Sequence, residues 1–285
     1  MITSVVFSRD RACQLDLMLR SLHKHSRGLD INVLYLSSNE KFQQGYDKVI
    51  EMYPSVNFVS QSSFKSDTMS IIREGGDYTI LFTDDDIVFG NIPPEENIQY
   101  VFDEVEPMSV SLRLGLNTVM QDPYEKTMAD IPRRFDPVGE FLIWDIRNVG
   151  NFDIVMIENK MHKQYRACNF TMPVSLDGHI YRKSVLESLL DPLNFKCPNT
   201  MELEMAGRNT APFETNLMAC LENSIVVNSP NNKVQTLTGT FAGEIFHLDI
   251  EELNEEFLNG KRLDGERVYN INVMGCHQEI NLEMV

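Results

Sequence analysis

This chain has no glycine-rich phosphate loop, no paired cysteines and no long apolar run, and each absence removes a class of function. Neither G-x-G-x-x-G nor G-x-x-x-x-G-K-[ST] follows the first predicted strand, so a dinucleotide fold or a P-loop would lack the backbone cradle that holds its phosphates. The cysteines (Cys13, Cys168, Cys197, Cys220 and Cys276) are odd in number and widely spaced, with no C-x-x-C pair. That pattern supports neither a disulfide framework nor a structural zinc site. Reduced thiols are expected, with Cys13, Cys197 and Cys220 as small core fillers. No stretch approaches the roughly 18 apolar residues of a membrane span. Met1 to Asp10 does not read as a basic segment followed by an apolar one, so the expected location is the cytoplasm, at most against the inner face of a membrane. Positive charge is scarce as well: 25 Lys and Arg stand against 42 Asp and Glu, a formal net charge of −17. With no run of Lys and Arg, a nucleic-acid partner would meet net repulsion and none is expected.

What the chain does have is three consecutive aspartates, Asp84, Asp85 and Asp86, at the end of the apolar run Tyr78 to Phe82. Adjacent carboxylates repel unless protons or a cation relieve them. Oxygen ligands of this kind suit Mg²⁺ or Mn²⁺, which keep some water and complete their shell from a diphosphate. A solvated turn after a strand is the other reading of an Asp-rich segment.

The residues upstream favour the first reading. Ile2 to Phe7 is a predicted strand, followed by the polar turn Ser8 to Arg11 and a helix with Leu15, Met18, Leu19 and Leu22 on one face. A strand over Ile31 to Leu36, a helix over about Lys41 to Tyr53, a short strand Val56 to Val59, a helix Phe64 to Arg73 and a strand Tyr78 to Phe82 complete a βαβαβαβ order. That order demands an α/β fold with a largely parallel sheet flanked by helices. Ligands of such sheets bind beyond the carboxyl ends of the strands, where Ser8 to Arg11, Ser37 to Glu40 and Asp84 to Asp86 would gather. The regular rhythm stops near Pro107, after a helix predicted over Pro94 to Val105. The 285 residues are therefore expected to form one domain, with a Rossmann-like nucleotide-binding half over 1–106 and an elaborated half over 107–285.

The ordered set Val5-Val6-Phe7-Ser8-Arg9-Asp10-Arg11 and Leu81-Phe82-Thr83-Asp84-Asp85-Asp86-Ile87 resembles the GT-A glycosyltransferases, and within them bacterial sugar transferases from polysaccharide-building loci. Ser111 to Gly115, Leu176 to Tyr181, Pro198 to Glu202 and Cys276 to Ile280 fit the same group, so the resemblance spans nearly the whole chain. It implies a nucleotide-sugar donor, with UDP the expected nucleotide, a glycan or lipid-linked saccharide acceptor, and Mn²⁺ or Mg²⁺ as cofactor. Ser8, Arg9, Asp10, Arg11, Asp84, Asp85, Arg113 and Asn117 would bind the donor. Asp86, with Asp84 and a C-terminal histidine, His277 in preference to His247, would hold the metal. The region 117–175 would shape the acceptor site, with Trp144 stacking on a sugar face beside Asp145, and with His179 following the Asp177-Gly178 turn. An inverting enzyme needs a carboxylate base. Glu202 is preferred to Glu204 at the start of a helix capped by Asn199 or Thr200, and Asp177 is a sugar-hydroxyl ligand. A retaining enzyme would need no such base.

Each assignment has a plain structural counterpart. Arg113 could form only a salt bridge, Asn117 only a turn, and the single Trp only core. Glu202 and Glu204 could be ordinary first-turn carboxylates. Two other functions use similar parts: a nucleotidyltransferase acting on sugar phosphates, although no glycine lies in Ser8 to Arg11, and a catalytically inactive sugar-binding protein.

Overall fold

In a computed structural model, residues 1–122, 127–149, 152–157, 160–165, 168–207, 213–234 and 242–285 are described. The first half alternates as predicted: β1 Ile2–Arg9, α1 Ala12–His25, β2 Asp30–Leu36, α2 Glu40–Met52, β3 Asn57–Ser60, α3 Phe64–Glu74 and β4 Tyr78–Thr83. β5 Asp86–Val88 and α4 Glu95–Val105 follow. The second half contributes β6 Val110–Ser111, β7 Met120–Asp122, β8 Thr127–Met128, β9 Asp136–Val138, β10 Phe141–Asp145, β11 Phe152–Ile157, β12 Lys160–Tyr165 and β13 His179–Arg182. It ends with α5 Lys183–Leu190, α6 Pro198–Gly207, β14 Leu217–Leu221, β15 Val226–Asn228 and α7 Ile250–Leu258.

A nine-stranded sheet in the order β3-β2-β1-β4-β13-β6-β14-β10-β9 runs through both halves. β3, β2, β1 and β4 are mutually parallel, and only β13 and β10 oppose the common direction. The α/β architecture with a mostly parallel sheet is therefore as expected. Strand alternation sends successive side chains to opposite faces, and both faces are buried. Val6, Ile80 and Phe82 pack with α1, α2, α4 and α7 through Leu15, Met18, Tyr46, Val49, Val101 and Phe257. Val5, Phe7 and Leu81 pack on the other side with α3, α5 and α6 through Phe64, Ile72, Leu186, Met201 and Met205. Among the described residues no helix is long and apolar enough to cross a membrane.

Three segments of the second half have little regular structure. The apolar run Ser109 to Leu114 is strand only over β6 because Leu112 changes partners, giving its N–H to Gly178 while its carbonyl accepts from Ile225 and Val226. The run Val268 to Met274 is not a strand: a 3₁₀ turn covers Gly265–Asn270, and Val268 and Val273 face inward while Tyr269, Ile271 and Met274 stay exposed. The region 117–175, which shows no sequence period, holds short antiparallel pairs, β7 with β8, β9 with β10 and β11 with β12. Residues 123–126, 150–151, 158–159 and 166–167 of that region lie outside the described ones.

Candidate active site

The carboxyl ends of β1 and β4 lie side by side, and the first turn closes between them. Asp10 takes φ 56°, a left-handed conformation that an aspartate tolerates when its side chain bonds locally. Its N–H reaches Leu36 and its carboxylate accepts the Ser38 N–H at 2.6 Å, so Asp10 ties the ends of β1 and β2 together. The Arg9 side chain points mostly to solvent, 3.5 Å from Asp10, while its N–H bonds Asp84. Arg11 turns inward and is 8% exposed. Its guanidinium donates to Asp84 at 2.9 Å, to Asp85 at 2.8 Å and to the Asn232 carbonyl at 2.7 Å. Ser8 donates to the other Asp84 oxygen at 2.8 Å and lies 2.7 Å from the Tyr46 hydroxyl.

β13 runs antiparallel to β4, so the residues preceding it arrive at the same edge of the sheet. Asp177 is placed there by Gly178, whose φ of 72° strains any side chain and whose Cα lies tight against Val226. Arg113, just beyond β6, pairs with Asp177 at 2.7 Å, and Thr83 Oγ1 lies 3.3 Å from the other Asp177 oxygen. Asp86 is 1% exposed and accepts the Thr83 N–H at 2.9 Å and the Asn228 amide at 3.1 Å. Glu202 enters from α6, where Pro198 occupies the first helical position and Thr200 accepts the N–H groups of Lys196 and Cys197. The helix therefore begins earlier than a cap at Asn199 or Thr200 would place it. The Glu202 carboxylate accepts from Ser175 Oγ at 3.0 Å and the Leu176 N–H at 3.3 Å. Glu204 is exposed on the same helix. His277 lies 3.2 Å from Arg113 and 3.7 Å from Asp177.

Asp84, Asp85, Asp86, Asp177 and Glu202 thus share one buried region with two guanidinium groups, those of Arg11 and Arg113. Their titration reflects that imbalance. Burial, only partly offset by Arg11, lifts the Asp84 carboxyl to about 6. Burial and the neighbouring Asp177 and Asp85 push Asp86 well above the ordinary range. Burial also raises Asp177 against the pull of Arg113, and burial with the charge of Asp177 raises Glu202. At Asp85 burial is outweighed by Arg11 together with the donors Thr83 and Asn228, so its carboxyl is held low.

Among the described residues no three His, Cys, Asp or Glu side chains form a group ready to hold a metal ion. Asp84 is spent on Ser8, Arg9 and Arg11 and is not placed as a ligand, against expectation. Asp86 and His277 stand on opposite sides of Asn228. Small hard cations are commonly bound by one or two carboxylates plus substrate phosphates. An excess of buried, mutually repelling carboxylates fits such a cation.

Several predicted residues lie elsewhere. Trp144 is 2% exposed, donates to the Phe170 carbonyl at 2.9 Å and packs edge-on against Phe135 and Phe170, so it cannot stack on a sugar. Asp145 is engaged by Arg147. His179 is fully buried with Nδ1 3.4 Å from Ser109, and burial then Arg113 hold it neutral. Asn117 clamps Ser224 and the Val273 carbonyl, which makes it a turn residue. Conversely, Thr83, Ser175 and Asn228 touch the site without having been singled out. Only Asn228 carried a sequence signal, a polar Asn-Ser-Pro-Asn-Asn run directly after an apolar strand. Glu279, within the Cys276 to Ile280 motif, accepts the N–H groups of Glu244, Ile245 and Phe246 and anchors the segment that carries His277.

No family model matches the chain. A 128-residue stretch, 41% of the chain, is 31% identical to the bifunctional glycosyltransferase pgtA of Dictyostelium discoideum. The chain spans 16% of that relative's length. Over that stretch the chain is similar to a glycosyltransferase, in keeping with its motifs. Among solved structures, S. aureus TarS 1-349 is similar at 15% identity and a TM-score of 0.46, over 81% of this chain and 61% of that one. The mannosyltransferase PcManGT of Pyrobaculum calidifontis, in complex with GDP-Man and Mn²⁺, is similar at 13% identity and a TM-score of 0.28, over 39% of this chain and 34% of that one.

Proposed function

We propose that this chain is a glycosyltransferase that moves a sugar from a nucleoside diphosphate donor, a UDP-sugar, to a hydroxyl of a glycan or lipid-linked glycan, with inversion at the anomeric carbon. The observation that carries the reading is the convergence of Asp84, Asp85, Asp86, Asp177, Glu202, Arg113 and His277 at the carboxyl edge of the sheet. The partial likeness to a glycosyltransferase supports it.

Ser8, Asp10, Arg11 and Asp84 shape the nucleotide side, with the exposed Arg9 at its rim. Asp86 and His277 would hold Mn²⁺ or Mg²⁺, which would supply positive charge against the departing diphosphate. Arg113 opposes the burial that raises Asp177 and holds its carboxylate in place to orient sugar hydroxyls. Glu202 is the base that takes the acceptor proton. Its raised pKa brings it nearer the operating pH, where a general base works best, and Ser175 fixes the carboxylate.

A panel of UDP-, GDP- and ADP-sugars, read by thermal shift with Mn²⁺ and with excess chelator, tests this. A UDP-sugar held at about 100 times its dissociation constant should stabilise the fold by about 2.7 kcal/mol. Chelation should remove most of that effect. The reading fails if no nucleotide sugar shifts the melt with either metal, or if turnover releases pyrophosphate rather than a nucleoside diphosphate.

A further inference from the structure

Glu202 reaches the site from α6, and the segment just before Gly178 decides how its carboxylate lies. Val174 and Leu176 are buried in one core with Met201 and Met205 of α6, while Ser175, between them, turns to Glu202. Both backbone groups of Ser175 are held by a single side chain. Its N–H donates to the Tyr181 hydroxyl oxygen at 2.7 Å, and that hydroxyl donates to the Ser175 carbonyl at 2.8 Å. Tyr181 is itself fully buried in β13.

The Ser175 hydroxyl has one proton, and its neighbours decide where that proton goes. The Asp177 N–H can only donate and faces Ser175 Oγ at 3.2 Å, whereas an ionised Glu202 can only accept and places Oε1 at 3.0 Å. The proton therefore points at Oε1. The Leu176 N–H adds a second donor to the same atom at 3.3 Å. Among the described residues none donates to Oε2, and Glu202 is part-exposed. The two carboxylate oxygens are thus unequal, Oε1 held by the fold and Oε2 open to a group arriving from the crevice. Burial and the charge of Asp177 raise the Glu202 carboxyl, and Arg113, His277 and the Ser175 hydroxyl oppose them.

We propose that Tyr181 and Ser175 are positioning residues for the base: Tyr181 fixes the Ser175 backbone, and the Ser175 hydroxyl holds Glu202 by Oε1 so that Oε2 takes the acceptor proton. As the acceptor oxygen bonds the anomeric carbon and the nucleoside diphosphate leaves with its bonding pair, the acceptor O–H breaks and its proton passes to Oε2. The proposal rests on the reading of Glu202 as base given above. It also ties that base to the sugar-orienting Asp177, because the Asp177 N–H and the Glu202 carboxylate meet at one hydroxyl.

Turnover and infrared spectra of folded variants test it. Ser175→Ala should lower kcat by about 10- to 100-fold, the cost of a displaced catalytic group, while donor KM stays within about twofold. Tyr181→Phe keeps the ring and the Ser175 hydroxyl and should lower kcat by a smaller factor, about tenfold. It carries the test if Ser175→Ala does not fold. Unchanged kcat in either folded variant overturns the proposal, and so does a donor KM that rises as steeply as kcat falls. The infrared measurement needs no substrate. The carboxylate stretch of Glu202, assigned by the band lost in Glu202→Gln, should move in Ser175→Ala because one oxygen loses a donor, and an unmoved band also overturns the proposal. If Glu202→Gln turns over as fast as wild type, or wild type transfers no sugar, the base reading fails instead, and the band still decides whether Ser175 holds Glu202.

Discussion

Two buried ionic regions flank α1, and they are built on opposite principles. Near the C-terminal segment, Asp16 is fully buried and is met by Arg20 at 3.1 Å, by both nitrogens of Arg262 and by the Tyr53 hydroxyl at 2.8 Å. One buried carboxylate there faces two guanidinium groups that reach solvent and a phenol, so the buried charge is answered within the fold. At the sheet edge, five carboxylates face two guanidinium groups. The first arrangement is complete as it stands and ties α1, α2 and the C-terminal segment together. The second is complete only with added cations or protons, which is what a site receiving a metal and a diphosphate requires.

The largest effect expected from this contrast is on turnover. Glu202→Gln keeps the shape and the hydrogen bond from Ser175 but removes the base, so kcat should fall by about 10² to 10⁴ with donor affinity nearly unchanged. Glu204→Gln on the exposed side of α6 should leave kcat within about twofold, a matched control sharing the same helix. If neither change matters and the product retains the donor's configuration, the base assignment is wrong and Asp177 is the next carboxylate to test.

Removing a charge should have opposite consequences for stability in the two regions. Asp16→Asn leaves two arginines facing a neutral amide and should destabilise the fold by about 3 kcal/mol in urea denaturation. Asp86→Asn lowers the repulsion around Asp177 and Asp85 and should leave stability unchanged or improved, while turnover falls by orders of magnitude. A variant at Asp86 that unfolds would place that carboxylate with the structural ones.

How much of this was legible in the sequence depends on the range of the interactions. The βα rhythm of the first half needs only neighbouring residues, so α1, α2, α3 and β4 lie where periodicity places them. Glu202 was distinguished from Glu204 by motif, and packing agrees, since one faces Ser175 and the other solvent. Trp144, Asn117 and His179 were misread because side-chain direction in β10, in the Gly115 to Thr118 turn and in β13 is decided by partners distant in the chain. The same holds for Arg11 and Asn232, or Asn228 and Asp86, which meet only in the folded chain.

The pH dependence of stability sharpens the contrast further. Folded pKa values raised above the unfolded ones mean that the folded state binds more protons, so stability rises as pH falls. Asp84, at about 6, and the raised groups Asp86, Asp177 and Glu202 all act this way. Asp85, held low, contributes stability that is lost only below the ordinary carboxylate range. The melting temperature of the free protein should therefore climb between about pH 7.5 and pH 5 and drop in stronger acid. Saturating Mn²⁺ with UDP should flatten the climb, because cations then do what protons did. A melting temperature that falls steadily from pH 7.5 would mean the carboxylates are already balanced.

The smallest expected effect concerns Trp144, a polar group on the structural side of the comparison. Trp144→Phe keeps the ring packed against Phe135 and Phe170 but removes the N–H that satisfies the buried Phe170 carbonyl. A buried hydrogen bond contributes about 1 kcal/mol net, and an orphaned carbonyl somewhat more, so a loss of about 1 to 2 kcal/mol is expected. Donor and acceptor KM should not change, because the indole lies within the cluster of Leu114, Phe170 and Met218 and has no free face. Unfolding in urea and acceptor saturation curves separate the two outcomes. An acceptor KM raised many-fold at unchanged stability would mean that the ring leaves this packing to meet a sugar, and Trp144 would cross from the structural set to the binding set.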